Sequence, residues 1–174
     1  MPHFYDKIER AHDAINKIPI DQLVILDKQP TSLHGVYASV YQDFKNDIMQ
    51  ALESGVKLIM KYRKLVLVFP KIIPYPLEIE TGFRNFCQQY DLKHAVISEI
   101  SHHLQINAGE AFIVIEETDL INLIKISRSL NLVVGKNIGI ISYNETPLKG
   151  ILLDGITVIY NDHEKMGETA ANLI

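Results

Sequence analysis

Ser142, Tyr143, Asn144 and Glu145 form a polar cluster directly after the apolar run 138–141. A hydroxyl, a phenol, an amide and a carboxylate gathered there can exchange hydrogen bonds with the hydroxyls of a small polar ligand. Glu116 and Glu117 stand in a comparable place after the apolar run 112–115, and Asp27 closes the run 23–26. Each has a local alternative. Asp27 can cap the turn that follows it, and the two glutamates can counter the dipole of the next helix. Asp162, directly before a helical pattern, suits an N-cap. The chemistry on offer is recognition rather than bond breaking. No nucleophile elbow, phosphate-cradling glycine loop or paired-carboxylate spacing occurs, so nothing supports an enzyme. His102 and His103 are adjacent, their side chains diverge, and no other ligand is spaced to complete a zinc site. Neither a metal nor another cofactor is expected.

The elements that must hold these groups alternate along the chain. Tyr5, Ile8, Ala11, Ile15 and Ile18 mark an amphipathic helix, followed by a strand over 23–26 and a breaker-rich loop over 29–35. Val40, Phe44, Ile48 and Leu52 share a helical face that Gly55 interrupts, and a strand over 65–69 follows. After a proline-stiffened loop, Pro76 suits the first turn of a helix that buries Ile79, Phe83, Phe86, Cys87 and Tyr90. Strands are expected over 94–97 and 112–115. Between that second strand and the next comes a helix capped by Thr118 or Asp119, with Leu120, Leu123, Ile124 and Leu130 inward and Ile121 pointing elsewhere. The strand 138–141 leads to a short helix or turn over 147–152, a strand over 156–160, and a last helix with Met166, Ala170 and Ile174 on one face. This alternation predicts an α/β fold with a doubly wound parallel sheet. In such a sheet ligands sit at the carboxyl ends of the strands, where the polar clusters fall.

Among 174 residues, 47% hydrophobic and 22% charged content fits one globular lobe with a real core. The net charge of -4 gives no electrostatic footprint for nucleic acid. The basic cluster Lys57, Lys61, Arg63 and Lys64 reads as a solvated helix end. The single cysteine, Cys87, excludes a disulfide framework and fits a reducing cytoplasm. No secretory apolar core and no run of membrane-spanning length is present, so no membrane partner is expected.

The phrase Gly139-Ile-Ile-Ser-Tyr-Asn-Glu-Thr146, followed by Gly155-Ile-Thr-Val-Ile159 and Asp162-His-Glu-Lys-Met-Gly-Glu-Thr-Ala-Ala171, resembles the closing segment of the lactose/galactose repressor effector domain. That family joins a periplasmic-binding-protein-like, sugar-sensing core to a DNA-reading head. Val40-Tyr-Gln-Asp-Phe44 and Lys61-Tyr-Arg-Lys-Leu-Val-Leu-Val-Phe-Pro70 resemble its branch with a GntR-type winged helix, of the Bacteroides kind, which responds to sugars such as L-fucose. The resemblance implies a flavodoxin-like second lobe over 39–160, the end of lobe one over 1–38, and a return into lobe one over 161–174. The DNA head and most of lobe one would then lie outside these residues. It implies a cytoplasmic, dimeric regulator whose effector, a monosaccharide, binds in the interlobe cleft and is coupled to DNA only through the missing head.

Carried over by position, the family's sugar-contacting carboxylates fall on Asp27 and on Asn144, which lacks the charge. Its strand-end asparagine falls on Glu116, and its crossover aromatic on His163 beside Asp162. The arginine expected one turn before Gly82 is Ile79 here, with Lys71 and Arg84 nearby. Asp27, Lys71, Glu116, Tyr143, Asn144, Asp162 and His163 are thus the candidate ligand contacts. The resemblance places the dimer interface at Ile121, Leu148 and Leu152. The rival readings are a transport sugar-binding protein with the same core and a small flavodoxin-like sugar-phosphate enzyme.

Overall fold

The structure, a computed structural model, describes residues 15–27, 35–72, 75–101, 103–154 and 156–173, without the side chains of Leu148 and Asp154. The amphipathic first helix expected through Tyr5 lies mostly outside the described residues, as do most of the loop 29–35, and His102 and Ile174. The elements are β1 (Val24–Asp27), β2 (Ala38–Tyr41), α1 (Phe44–Ser54), α2 (Val56–Ile59), β3 (Lys64–Val68), α3 (Leu77–Gln89), β4 (Lys93–Ile97), β5 (Glu110–Val114), α4 (Glu117–Ser129), β6 (Ile138–Tyr143), α5 (Pro147–Ile151), β7 (Thr157–Ile159) and α6 (His163–Ala171). Among the described residues no helix is long and apolar enough to cross a membrane.

Two compact units result, one of Met1–Asp43 with Asp162–Ile174, the other of Phe44–Asn161. In the first, β1 and β2 pair in parallel with Leu26 opposite Val40, and α6 packs on this pair. The helical face expected from Val40 therefore starts only at Phe44. Val40 sits in a stretch, Ala38–Tyr41, that pairs with β1 and so meets its backbone hydrogen bonds in a ladder. The junction expected between residues 38 and 39 lies inside β2, and the units divide after Asp43.

In the second unit five parallel strands run in the order β4-β3-β5-β6-β7, the flavodoxin-like arrangement. Successive strand residues point to opposite faces, so an unbroken apolar strand must be covered on both. Leu65, Leu67 and Ile113 join Ile48, Leu52, Ile79, Phe83 and Phe86 in one core, beneath α1 and α3. Val66, Val68, Phe112 and Val114 join Leu120, Leu123 and Ile124 of α4 in the other. Leu130, expected inward, follows the last turn of α4 and is 49% exposed. Gly55 separates α1 from α2, as its breaking tendency suggests. Gly82 lets α3 approach α1 closely: a Cβ there would lie 2.3 Å from the carbonyl oxygen of Lys45.

Candidate functional site at the carboxyl edge of the sheet

The strand register sets Ile97, Val68, Val114, Ser142 and Val158 side by side, so the loops after all five strands open on one edge. After β3 the chain crosses to β4 on one side, then to β5 on the other. The connections that leave β3 and β5 therefore part, and a crevice opens between them, where open α/β sheets take ligands. The Tyr75 hydroxyl, from the loop after β3, donates a hydrogen bond across this crevice to Oε1 of Glu116, after β5. The Phe69 ring meets Tyr75 edge-on at 6.4 Å and steadies it. Beside them lies a hollow of about 580 Å³ whose walls include Phe69, Tyr75, Leu77, Val96 and Ile97, with Lys71, Glu80 and Ser98 as its polar groups.

Glu116 occupies the N-cap position of α4 but makes no side-chain cap bond. Neither Thr118 nor Asp119 caps the helix, because the helix starts earlier, at Glu117. The Asp119 carboxylate is buried and accepts the Ile100 N–H at 2.7 Å, while Asn122 Nδ2 donates to the Ile100 carbonyl at 3.3 Å. Helix α4 so pins the start of the connection between β4 and β5. Burial raises the Asp119 pKa above its ordinary value, the Ile100 N–H works against that shift, and Glu99 and Glu116 add to it.

At the end of β6, strand alternation turns Tyr143 inward. Tyr143 is 2% exposed and belongs to the core that Phe69 and Ile115 share, so its side chain packs inward and is not presented at the edge. Asn144 is exposed and holds a left-handed backbone with φ of 64°. Its N–H donates to the Ile159 carbonyl at 2.9 Å, and its Oδ1 accepts from Asn161 Nδ2 at 3.4 Å. Beneath it lies Lys149 of α5, whose Nζ donates to the carbonyls of Tyr143 at 3.2 Å and Asn144 at 2.7 Å. Burial lowers the Lys149 pKa, and the nearby carboxylates of Glu117 and Glu116 partly offset this.

The remaining expected contacts belong to the first unit. Asp27 has φ of 80° and accepts a 2.5 Å hydrogen bond from Gln42 Nε2, while the Gln42 N–H bonds the Asp27 carbonyl at 3.1 Å. Its carboxylate is thus engaged in closing the end of β1. Asp162 is the N-cap of α6, accepting the Lys165 N–H at 2.8 Å, and His163 is the exposed first residue of that helix. Of the seven expected residues, Lys71, Glu116 and Asn144 carry exposed or edge-facing polar groups on the sheet's carboxyl side. Sequence reasoning did not single out Tyr75 or Lys149. Tyr75 was hidden between two prolines, and a lysine in a short polar turn ordinarily reads as solvated.

A second hollow, of about 550 Å³, lies between residues 104–107 and the carboxyl-terminal half of α4, among Leu104, Ile106, Lys125 and Leu130. Ile121 on α4 is 46% exposed and Ile151 on α5 is 77% exposed, whereas Leu152 packs partly against the second core. The Leu148 side chain lies outside the described residues. In the basic cluster, Lys64 pairs with Glu110 at 3.1 Å and Arg63 donates to the Ala108 carbonyl at 2.6 Å. Among the described residues no three His, Cys, Asp or Glu side chains are grouped to hold a metal ion.

Similarity to solved structures fixes the fold. The chain shares the fold of LacI-family regulators. A LacI-family regulatory protein from Chloroflexus aggregans superposes with a TM-score of 0.68 at 15% identity, over 97% of this chain and 64% of that one. For a LacI transcriptional regulator from a Rhodococcus species the values are 0.70 and 14%, over 94% and 63%. A periplasmic binding protein/LacI transcriptional regulator from Alkaliphilus metalliredigens, complexed with D-xylulofuranose, gives 0.62 and 15%, over 86% and 59%. The chain thus spans about three fifths of the length of these structures. No protein-family model and no curated protein matches it.

Proposed function

We propose that this chain is the sugar-sensing, effector-binding part of a bacterial transcription regulator. The observation that carries the reading is the set of polar groups along the sheet's carboxyl edge: Lys71 in the wall of a hollow that Phe69 and Tyr75 also line, Glu116 bonded to Tyr75, and the exposed Asn144 at the end of β6. It occurs in a fold shared with LacI-family regulators, one of them complexed with D-xylulofuranose. Acceptors and donors around an apolar wall suit the alternating hydroxyl and C–H faces of a monosaccharide, an L-fucose-like one in our reading. Its hydroxyls favour one arrangement of the effector core, and a GntR-type DNA head outside this chain follows that population shift. The regulator acts in the cytoplasm as a homodimer. No step of this mechanism breaks a covalent bond.

A thermal-shift panel of neutral monosaccharides, L-fucose and D-xylulose among them, on the full-length gene product tests this. Ligand at a hundred times its dissociation constant stabilises by about 2.7 kcal/mol, an easily read shift. Asn144→Ala removes a side-chain hydrogen bond to the sugar, about 1 kcal/mol or more, and should shrink the shift. A flat panel, or one that Asn144→Ala leaves unchanged, refutes the proposal.

A further inference from the structure

We propose that Lys149 is a positioning residue for the effector edge, its buried ammonium fixing the end of β6 so that Asn144 presents its amide there. This rests on reading the carboxyl edge as the effector site. Lysine is among the side chains most rarely buried, and desolvating its ammonium costs several kcal/mol unless it is paired. Lys149 is only 3% exposed, and neither ion pair recorded among the described residues includes it. An apolar side chain would fill the same space without that penalty. What the ammonium adds is a hold on two consecutive carbonyls, those of Tyr143 and Asn144.

These two bonds act on the residue between them. The peptide before Asn144 is held at its oxygen by Lys149 and at its nitrogen by the Ile159 carbonyl, and the peptide after it is held at its oxygen by Lys149 again. Both planes that define the Asn144 backbone are clamped. Its left-handed conformation, uncommon for a residue other than glycine, persists where its surroundings over-determine it. Lys149 is itself fixed, its N–H bonding the Thr146 carbonyl at 2.9 Å and its carbonyl accepting from the Ile156 N–H at 3.3 Å. One residue, by its side chain at Tyr143 and Asn144 and by its main chain at Thr146 and Ile156, so ties the end of β6 to α5 and to the approach of β7.

Nuclear magnetic resonance on the 174-residue chain tests the clamp without any ligand. In the wild type the Lys149 ammonium protons should exchange at least tenfold more slowly than those of exposed Lys57, with couplings across the hydrogen bonds to the Tyr143 and Asn144 carbonyl carbons. In Lys149→Met, amide exchange at Asn144 should rise at least tenfold more than at core Ile113, and Lys149→Arg should recover part of the protection. Ammonium exchange as fast as at Lys57, or equal acceleration at Asn144 and Ile113, overturns the proposal. The wild-type measurement decides even if Lys149→Met does not fold. With L-fucose as the first probe, a thermal shift lost in Lys149→Met and in Asn144→Ala supports the effector role. A shift retained in Asn144→Ala overturns the edge reading itself, separately from the clamp.

Discussion

Asp119 and Lys149 are ionisable side chains turned inward, and each binds main chain: Asp119 the N–H of Ile100, Lys149 the carbonyls of Tyr143 and Asn144. Main-chain groups freed at loop starts need partners when buried, and a charged side chain supplies a strong one. For Asp119 the carboxylate form is nonetheless penalised, chiefly by burial. A carboxyl whose native pKa is raised binds more protons in the folded chain than in the unfolded one. Its unfavourable contribution is thus fully present above the raised native value and is relieved as pH falls towards 3.8. Asp119→Asn keeps the oxygen acceptor and removes the charge. It should leave stability at pH 7 at or above wild type and flatten that part of the acid-side profile. Asp119→Ala strands the Ile100 N–H and should lose about 1–3 kcal/mol. Urea unfolding at pH 4 and pH 7 separates the three proteins, and an Asn variant as unstable as the Ala one contradicts this account. Burial within α3 pushes the Cys87 thiol pKa up to about 12, against the opposing charge of Arg84, which keeps the thiol protonated and unreactive.

Helices α1 and α3 meet where Gly82 faces the Lys45 carbonyl, and the obstacle is backbone rather than a movable side chain. Gly82→Ala should therefore force the helices apart and destabilise by about 1–3 kcal/mol, more than the gain alanine brings to helix propensity. A midpoint of chemical unfolding equal to wild type would show that the pair relaxes freely. The pattern Ile79, Phe83, Phe86, Cys87 predicts the buried face of α3 because helical period and burial coincide there. All five strands of the parallel sheet are legible for a similar reason, as short apolar runs between breakers. Val40 was not, since an apolar residue four before Phe44 fits either period, and only the long-range pairing with β1 decides it. The candidate edge was legible as a place, because strand ends can be read from composition. Which side chains face it was not. Tyr143 turned inward by strand parity and Asp119 was drawn to Ile100 nineteen positions earlier in the chain, neither of which local spacing encodes.

With 17 basic against 21 acidic residues the chain carries a net charge of -4, and in the proposed regulator the DNA reader is a separate part that the effector signal reaches through assembly. The proposed route is a two-fold contact through α4 and α5. Ile121 and Ile151 expose apolar surface on these two helices, where an isolated domain gains nothing from it. A two-fold axis brings each patch against its own copy, so apolar residues complement themselves while an introduced charge confronts an identical charge. Leu152 is a poor probe of this, because it packs partly against the second core and a glutamate there would damage the fold as well as the surface. Ile121 is about half exposed, and its replacement should change folding stability by roughly 0.5 kcal/mol or less. Sedimentation equilibrium should find the wild-type chain dimerising with a dissociation constant on the order of 10 μM, about 7 kcal/mol. Ile121→Glu should be monomeric at the same concentration with an unchanged unfolding midpoint. A monomeric wild type, or an Ile121→Glu variant that still pairs, would mean that this face is not the interface.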